Sequence, residues 1–207
     1  MNRIAALAVV AACGAPQRPP PGPDVRAEVR AAEDAERARH HDVARQKYEQ
    51  AVADARDPAS IGFARNRFGE TLATWGEYAE AQRQLEGAVE ATPDEPSAWH
   101  DLGVLREHAG DSRGALAAFE RAKALVPTDW RPRLALAVLH WKLGAACLHA
   151  TPSAAACAPE VYAATAEYRA TLALDLPQRL RSKVEWALAQ LAEPDAGLRP
   201  AAPAPAP

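Results

Sequence analysis

Sulfur, lysine and aromatic rings are all scarce in this chain. Its 207 residues hold three cysteines, one methionine, four lysines against twenty arginines, and 6% aromatic residues. The formal net charge is -3, and the pI is about 6.1. That balance excludes the basic surface a nucleic-acid binder needs. The arginine bias, with abundant alanine, reads as high-GC coding rather than as a binding signal. Long apolar runs are missing too. The longest, Ile4–Ala12, has nine residues. As a helix it would reach about 14 Å, under half of a bilayer core. The expectation is that no segment stays across a membrane.

Motifs for chemistry are absent as well. There is no CxxC redox pair and no zinc-ligand spacing. Of six histidines, His40 and His41 are adjacent and point to different sides of a helix. His100 and His108 are eight positions apart. That is about 12 Å along one helix, too far to share an ion. His140 and His149 are separated by an expected helix end. No glycine-rich phosphate loop is present, and no Ser or Cys nucleophile has a plausible base beside it. The reading is a chain that is no enzyme and carries no cofactor, no metal and no nucleic acid. What is present suffices for one ordinary domain plus tails. Hydrophobic residues make up 48%, enough for a core. Most of the eighteen prolines cluster at the two ends.

The start of the chain combines Arg3, the apolar run Ile4–Ala12, and then "VAAC". Val10, Ala11, Ala12 and Cys13 resemble the lipobox of bacterial lipoproteins. The resemblance implies a signal peptide over 1–12, cleavage before Cys13, and a diacylglycerol on its thiol. Acylation of the new N-terminus as well would give an anchor much firmer than one acyl chain. The following "GAPQRPPPGPD" is a stiff, extended tether over 13–24, at about 3 Å per residue. Gly14 follows the cysteine where inner-membrane retention often uses Asp, which favours the outer membrane. If Cys13 carries lipid, Cys147 and Cys157 remain. An oxidising periplasm would join them as a disulfide. Two unpaired thiols in a loop would instead fit a cytoplasmic chain.

An internal period organises the rest. Gly69 and Gly103 are 34 residues apart. The same spacing joins Gly76 to Gly110, Ala81 to Ala115, Leu85 to Phe119, Ala88 to Ala122, and Phe68 to Leu102. Together with Trp99 and Pro127, this pattern resembles the tetratricopeptide repeat. The resemblance implies an all-α, right-handed α-solenoid of about four helix pairs plus a C-terminal capping helix, over 25–193. In it, Gly69 and Gly103 let two helices cross closely. Gly76 and Gly110 end the first helices in a left-handed conformation. Ala81 and Ala115 sit at the contact within a pair, and Leu85 and Phe119 fill the space between repeats.

The outer copies are degenerate. Ala44, Tyr48 and Ala51 give a first repeat about three residues out of phase, its first helix being Val25–Arg39. Trp130–Gly144 reads as the first helix of a fourth. A cysteine-containing insertion at about 145–159 interrupts that repeat, and Ala164, Tyr168 and Leu172 resume it. Leu180, Val184, Leu188 and Leu191 give the cap its apolar stripe. The Ala/Pro tail over 194–207 is low-complexity and expected to be disordered.

In this repeat family the first helices line a concave groove that takes a peptide or helix of a partner protein. The resemblance carries Phe63, Asn66, Glu70 and Thr74 into that groove. From the next repeat it carries Ser97, His100, Val104, Glu107 and His108. From the fourth it carries Arg131, Leu134, Val138, Trp141 and Lys142. Some family members clamp a C-terminal carboxylate there. Glu70 and Val104 fall where such a clamp needs Asn-like donors, so none is expected. Trp141 is the favoured anchor, with packing against the cap as its alternative.

The combined expectation is a lipid-anchored interaction scaffold, facing the periplasm from the outer membrane and touching the membrane through its lipid alone. It is similar to small repeat lipoproteins that assemble or localise pilus secretins, motility or outer-membrane machinery. Two other classes compete: an accessory regulator of peptidoglycan enzymes, and a soluble adaptor or co-chaperone. The anchor makes a direct prediction. Cys13→Ser should move the protein from the membrane pellet to the soluble fraction, and persistence in the pellet would sink the lipoprotein reading.

Overall fold

The computed structural model describes residues 24–150 and 154–192. The expected signal peptide, Cys13, nearly all of the expected tether and the Ala/Pro tail lie outside the described residues. Among the described residues there are nine α-helices and no strand. They are α1 (Val25–Arg37), α2 (His41–Asp54), α3 (Pro58–Thr74), α4 (Tyr78–Ala91) and α5 (Pro96–His108). The remainder are α6 (Ser112–Leu125), α7 (Trp130–Ala150), α8 (Ala154–Leu172) and α9 (Gln178–Ala192).

Local chemistry sets the helix ends. Asp24 accepts from the Ala27 amide at 3.1 Å, and Asp111 from the Gly114 amide at 2.9 Å. Both satisfy a backbone donor that the helix itself leaves unpaired. Asp57 and Ser60 cap α3 reciprocally, with Pro58 in its first turn. Gly76 and Gly110 follow α3 and α5 at φ +83° and +82°, the left-handed stop that only glycine adopts without strain.

Short loops fold consecutive helices into the pairs α1–α2, α3–α4, α5–α6 and α7–α8. Along the stack α1 adjoins α3, α3 adjoins α5, and α5 adjoins α7, so the first helices share one face. Helix α9 packs on α8 and ends the stack. The pairs hold together at glycine crossings. A Cβ on Gly103 would lie 2.6 Å from the Phe119 ring, and one on Gly69 would lie 2.7 Å from Leu85 Cγ. Phe119 and Leu85 are buried to 0% and 1% exposure, so neither can swing aside.

The first repeat is a whole unit with a displaced register. Ala44 to Ala81, Tyr48 to Leu85 and Ala51 to Ala88 are each 37 residues apart. The difference arises at the start of α3. That helix has 17 residues against 13 in α5. The Asp57–Ser60 cap starts it one turn early, while the loop before it is just one residue shorter than the loop before α5, so the repeat gains three residues.

The fourth repeat departs further from its expected form. The period places a helix stop at Gly144, yet α7 continues to Ala150. Gly144 is instead buried against Val161 of α8, where a Cβ would meet the valine at 3.2 Å. Only 151–153 of the insertion lie outside the described helices. The rest lengthens both helices, extending the α7–α8 hairpin by six or seven residues on each side, about 9–10 Å. The cysteines therefore sit on helices, not in a loop. Cys147 of α7 is bonded to Cys157 of α8, with Cα atoms 5.6 Å apart. His140 Nδ1 and Glu160 Oε2, 2.6 Å apart, join the same two helices. A second correction concerns Leu172. Thr171 takes the position after Ala164 and Tyr168, fully buried, while Leu172 stays partly exposed. The Thr171 hydroxyl donates to the Glu167 carbonyl at 2.8 Å, which removes the cost of burying it.

The crossings carry a stability prediction. Gly103→Ala should destabilise the chain by about 1–3 kcal/mol in urea unfolding. Adding Phe119→Leu should recover part of that loss. A neutral Gly103→Ala would show that the crossing has room to spare.

Candidate functional site

The shared face of the first helices is hollow. A recess of about 640 Å³ opens between α1, α3 and α5 and reaches the start of α7. That volume lies in the range of clefts that enclose a ligand or a side-chain cluster. Six of the expected groove residues meet here: Phe63, Asn66, Glu70, Ser97, His100 and Arg131. Ser97 lies beside the helix start that Glu95 caps through the Ser97 amide and hydroxyl.

Charge in the recess is organised by pairs. Arg67 donates to Glu33 of α1 through Nε (3.0 Å) and a terminal nitrogen (2.7 Å), and its other terminal nitrogen donates to Glu70 at 2.6 Å. Arg131 grips Asp129 with its Nε and one terminal nitrogen at 2.7–3.0 Å. That grip holds the Asp129 carboxyl below the usual carboxylate range. Arg26 lies over the Phe63 ring, 4.7 Å from its centre. Glu70 behaves the other way. Burial first, and then the charges of Asp101 and Glu33, raise its carboxyl against the opposing pull of Arg67.

The other expected groove residues lie elsewhere on this face. Thr74 lines a shallower hollow with Glu33, Glu70 and Tyr48. Val104 stands exposed at 47%, one turn beyond His100 on α5. His108 is held by Tyr78, with Nε2 and the hydroxyl 3.2 Å apart. Lys142 bonds Glu107 at 2.7 Å, joining α7 to α5. Leu134, Val138 and Trp141 are partly buried against a C-terminal cluster that includes Leu180, Val184 and Leu188 of α9. Trp141, the favoured anchor, is thus partly buried in an apolar cluster together with Leu134 and Val138. Trp99 is also only partly buried, its indole donating to the Pro93 carbonyl at 2.8 Å.

Sequence reasoning missed Glu33, Arg67 and Asp101. The signal was there, because these three stand 34 residues apart, the period of the repeat. Among the described residues no group of three His, Cys, Asp or Glu could hold a metal ion, and no helix is long and apolar enough to cross a membrane.

The raised carboxyl of Glu70 gives a prediction with a definite sign. A carboxyl raised in the folded state stabilises the chain in acid, and that contribution is lost as pH rises through the folded value. Glu70→Gln should therefore gain stability over the native chain between about pH 3 and about pH 7. The gain should be roughly 0.5 kcal/mol at most, because the side chain is half exposed and screened. If the Arg67 bridge dominated, the variant would lose stability over that range instead.

No protein family matches this chain, and no curated protein matches it. Solved structures do. Pseudomonas aeruginosa PilF superposes with a TM-score of 0.63 at 18% identity, covering 81% of this chain and 68% of that one. PilW, described as a widely conserved type IV pilus biogenesis factor, gives 0.64 at 17%, covering 84% and 73%. MamA protein gives 0.61 at 15%, covering 81% of each. At such identities the likeness is one of fold. That fold is an all-α tetratricopeptide-type solenoid, right-handed, of about four helix pairs closed by a capping helix.

Proposed function

We propose that this chain is a non-catalytic interaction scaffold, lipid-anchored at Cys13 in a bacterial envelope. It holds a peptide or helix of an envelope-complex component against the face of its first helices. The observation that carries the reading is the recess itself, where groove residues from three repeats converge. A scaffold needs a concave surface of fixed shape, and stacked helix pairs provide one at little ordering cost. The bonded Cys147 and Cys157 support an exported chain, because disulfides persist in oxidising compartments. The likeness to PilW, a type IV pilus biogenesis factor, supports an envelope machine as the client. The outer membrane, facing the periplasm, is the proposed location.

The test is position-dependent capture in living cells. A photo-reactive residue at position 104, in the native anchored chain, should capture one protein of the envelope. The same residue at position 162 should not, because Tyr162, 73% exposed, lies on α8 away from the groove. Equal capture from both positions would defeat the groove as the working surface.

A further inference from the structure

Resting on that groove reading, the charges of the recess say what part of a partner it takes. The carboxylates around it are Glu33, Glu70, Glu95, Asp101 and Asp129. The guanidiniums are Arg26, Arg67 and Arg131, which leaves two negative charges in excess. The cations are also already engaged. Arg131 is spent on Asp129, Arg67 on Glu33 and Glu70, and Arg26 on the Phe63 face. An anionic ligand would have to break a pair to reach Arg67 or Arg131; Arg26, stacked on the ring face, keeps its N–H donors.

The acceptors are less well served. Asn66 lies at the wall of the recess and is only 6% exposed. Its amide is turned toward Asp101, to which Nδ2 donates at 3.2 Å. That bond fixes the amide, because turning it over would set Oδ1 against the Asp101 carboxylate. Fixed this way, Oδ1 has no hydrogen-bond partner. A buried acceptor without a donor is rare in folded proteins and costs stability. Asp101 receives just that amide and a long 3.4 Å contact from His100 Nδ1. Across from it, the Glu70 carboxylate shares Arg67 with Glu33. Asn66, with its buried orphan oxygen, thus lies beside Asp101 and one turn from Glu70, on a wall with more carboxylate acceptors than donors, which suits a donor that carries positive charge.

We propose that the recess between α3 and α5 receives a cationic side chain, arginine or lysine, of the partner polypeptide, with Asp101 and Glu70 balancing its charge and Asn66 oriented beside it. The partner segment is thereby defined chemically as basic at the point where it crosses the second and third repeats. Such complementarity sets specificity and register more than total affinity.

Asparagine occurs only at positions 2 and 66, so selective labelling isolates the Asn66 side-chain amide by NMR. The full chain is titrated with the blocked peptide acetyl-Gly-Ala-Arg-Ala-Gly-amide, and with its citrulline and glutamate counterparts. The arginine peptide should shift the Asn66 amide saturably. The citrulline peptide, of the same shape without charge, should bind roughly tenfold more weakly. Raising salt from about 50 to about 500 mM should weaken the arginine peptide and leave the citrulline peptide unchanged. Asp101→Asn keeps the shape of the site and should lose the preference. Arg131→Gln releases Asp129 and should tighten arginine binding. An Asn66 amide that does not move, equal binding of citrulline or glutamate, or weaker arginine binding by Arg131→Gln would each overturn the proposal. Capture from position 104 without a preference for arginine would leave the groove standing and remove the cationic recess. An arginine-selective shift without capture would do the reverse.

Discussion

At the crossing of α5 and α6, the Phe119 ring occupies the space that any side chain at position 103 would need. The same is true of Leu85 and position 69 one repeat earlier. These two contacts set how closely the helices of a pair approach. They also fix which faces the first helices turn outward. With the apolar and small residues committed to the crossings, the opposite side of α3 and α5 is left to polar groups. The recess follows from that division. It is the space that the stacked first helices cannot close, lined by the side chains that the core did not use.

The solenoid joins its repeats by two kinds of contact. Packing dominates along the second helices, through Leu85, Phe119 and Tyr168 with their alanine neighbours. Along the groove, ion pairs span adjacent first helices: Arg67 with Glu33, and Lys142 with Glu107. Exposed pairs of this kind contribute little stability each. Their larger consequence is electrostatic, since they tie up Arg67 and Lys142 on a face whose recess already holds more carboxylates than guanidiniums. The C-terminal end is built differently. Leu134, Val138 and Trp141 share one apolar cluster with residues of α8 and α9, and the Cys147–Cys157 bond holds a lengthened α7–α8 hairpin.

Much of this was legible in the sequence, and what was not has physical causes. Gly69, Gly76, Gly103 and Gly110 were readable because each does a job that only glycine does well, at one period. The displaced first repeat was harder. One helical turn is added at Pro58, and extra residues of helix and of loop look alike by length. The fourth repeat misled because Gly144 matches a helix stop by spacing, while its neighbours α7 and α8 bury it in mid-helix. Trp141 reads as a partner anchor because spacing alone does not show how much of an aromatic side chain an apolar cluster buries. Glu33, Arg67 and Asp101 escaped notice because charged residues on helices usually read as a solvated face. Their 34-residue spacing was visible, but its meaning depended on which residues the fold brings across from one another.

The central claim is that the face of α3 and α5, and not the cysteine hairpin, is the working surface. Hydrogen exchange of the chain, alone and with its captured partner, tests this most directly. The account predicts slowed exchange in α3 and α5 on binding, with α8 and α9 unchanged. Protection of α8 and α9 with α3 and α5 unaffected would contradict it.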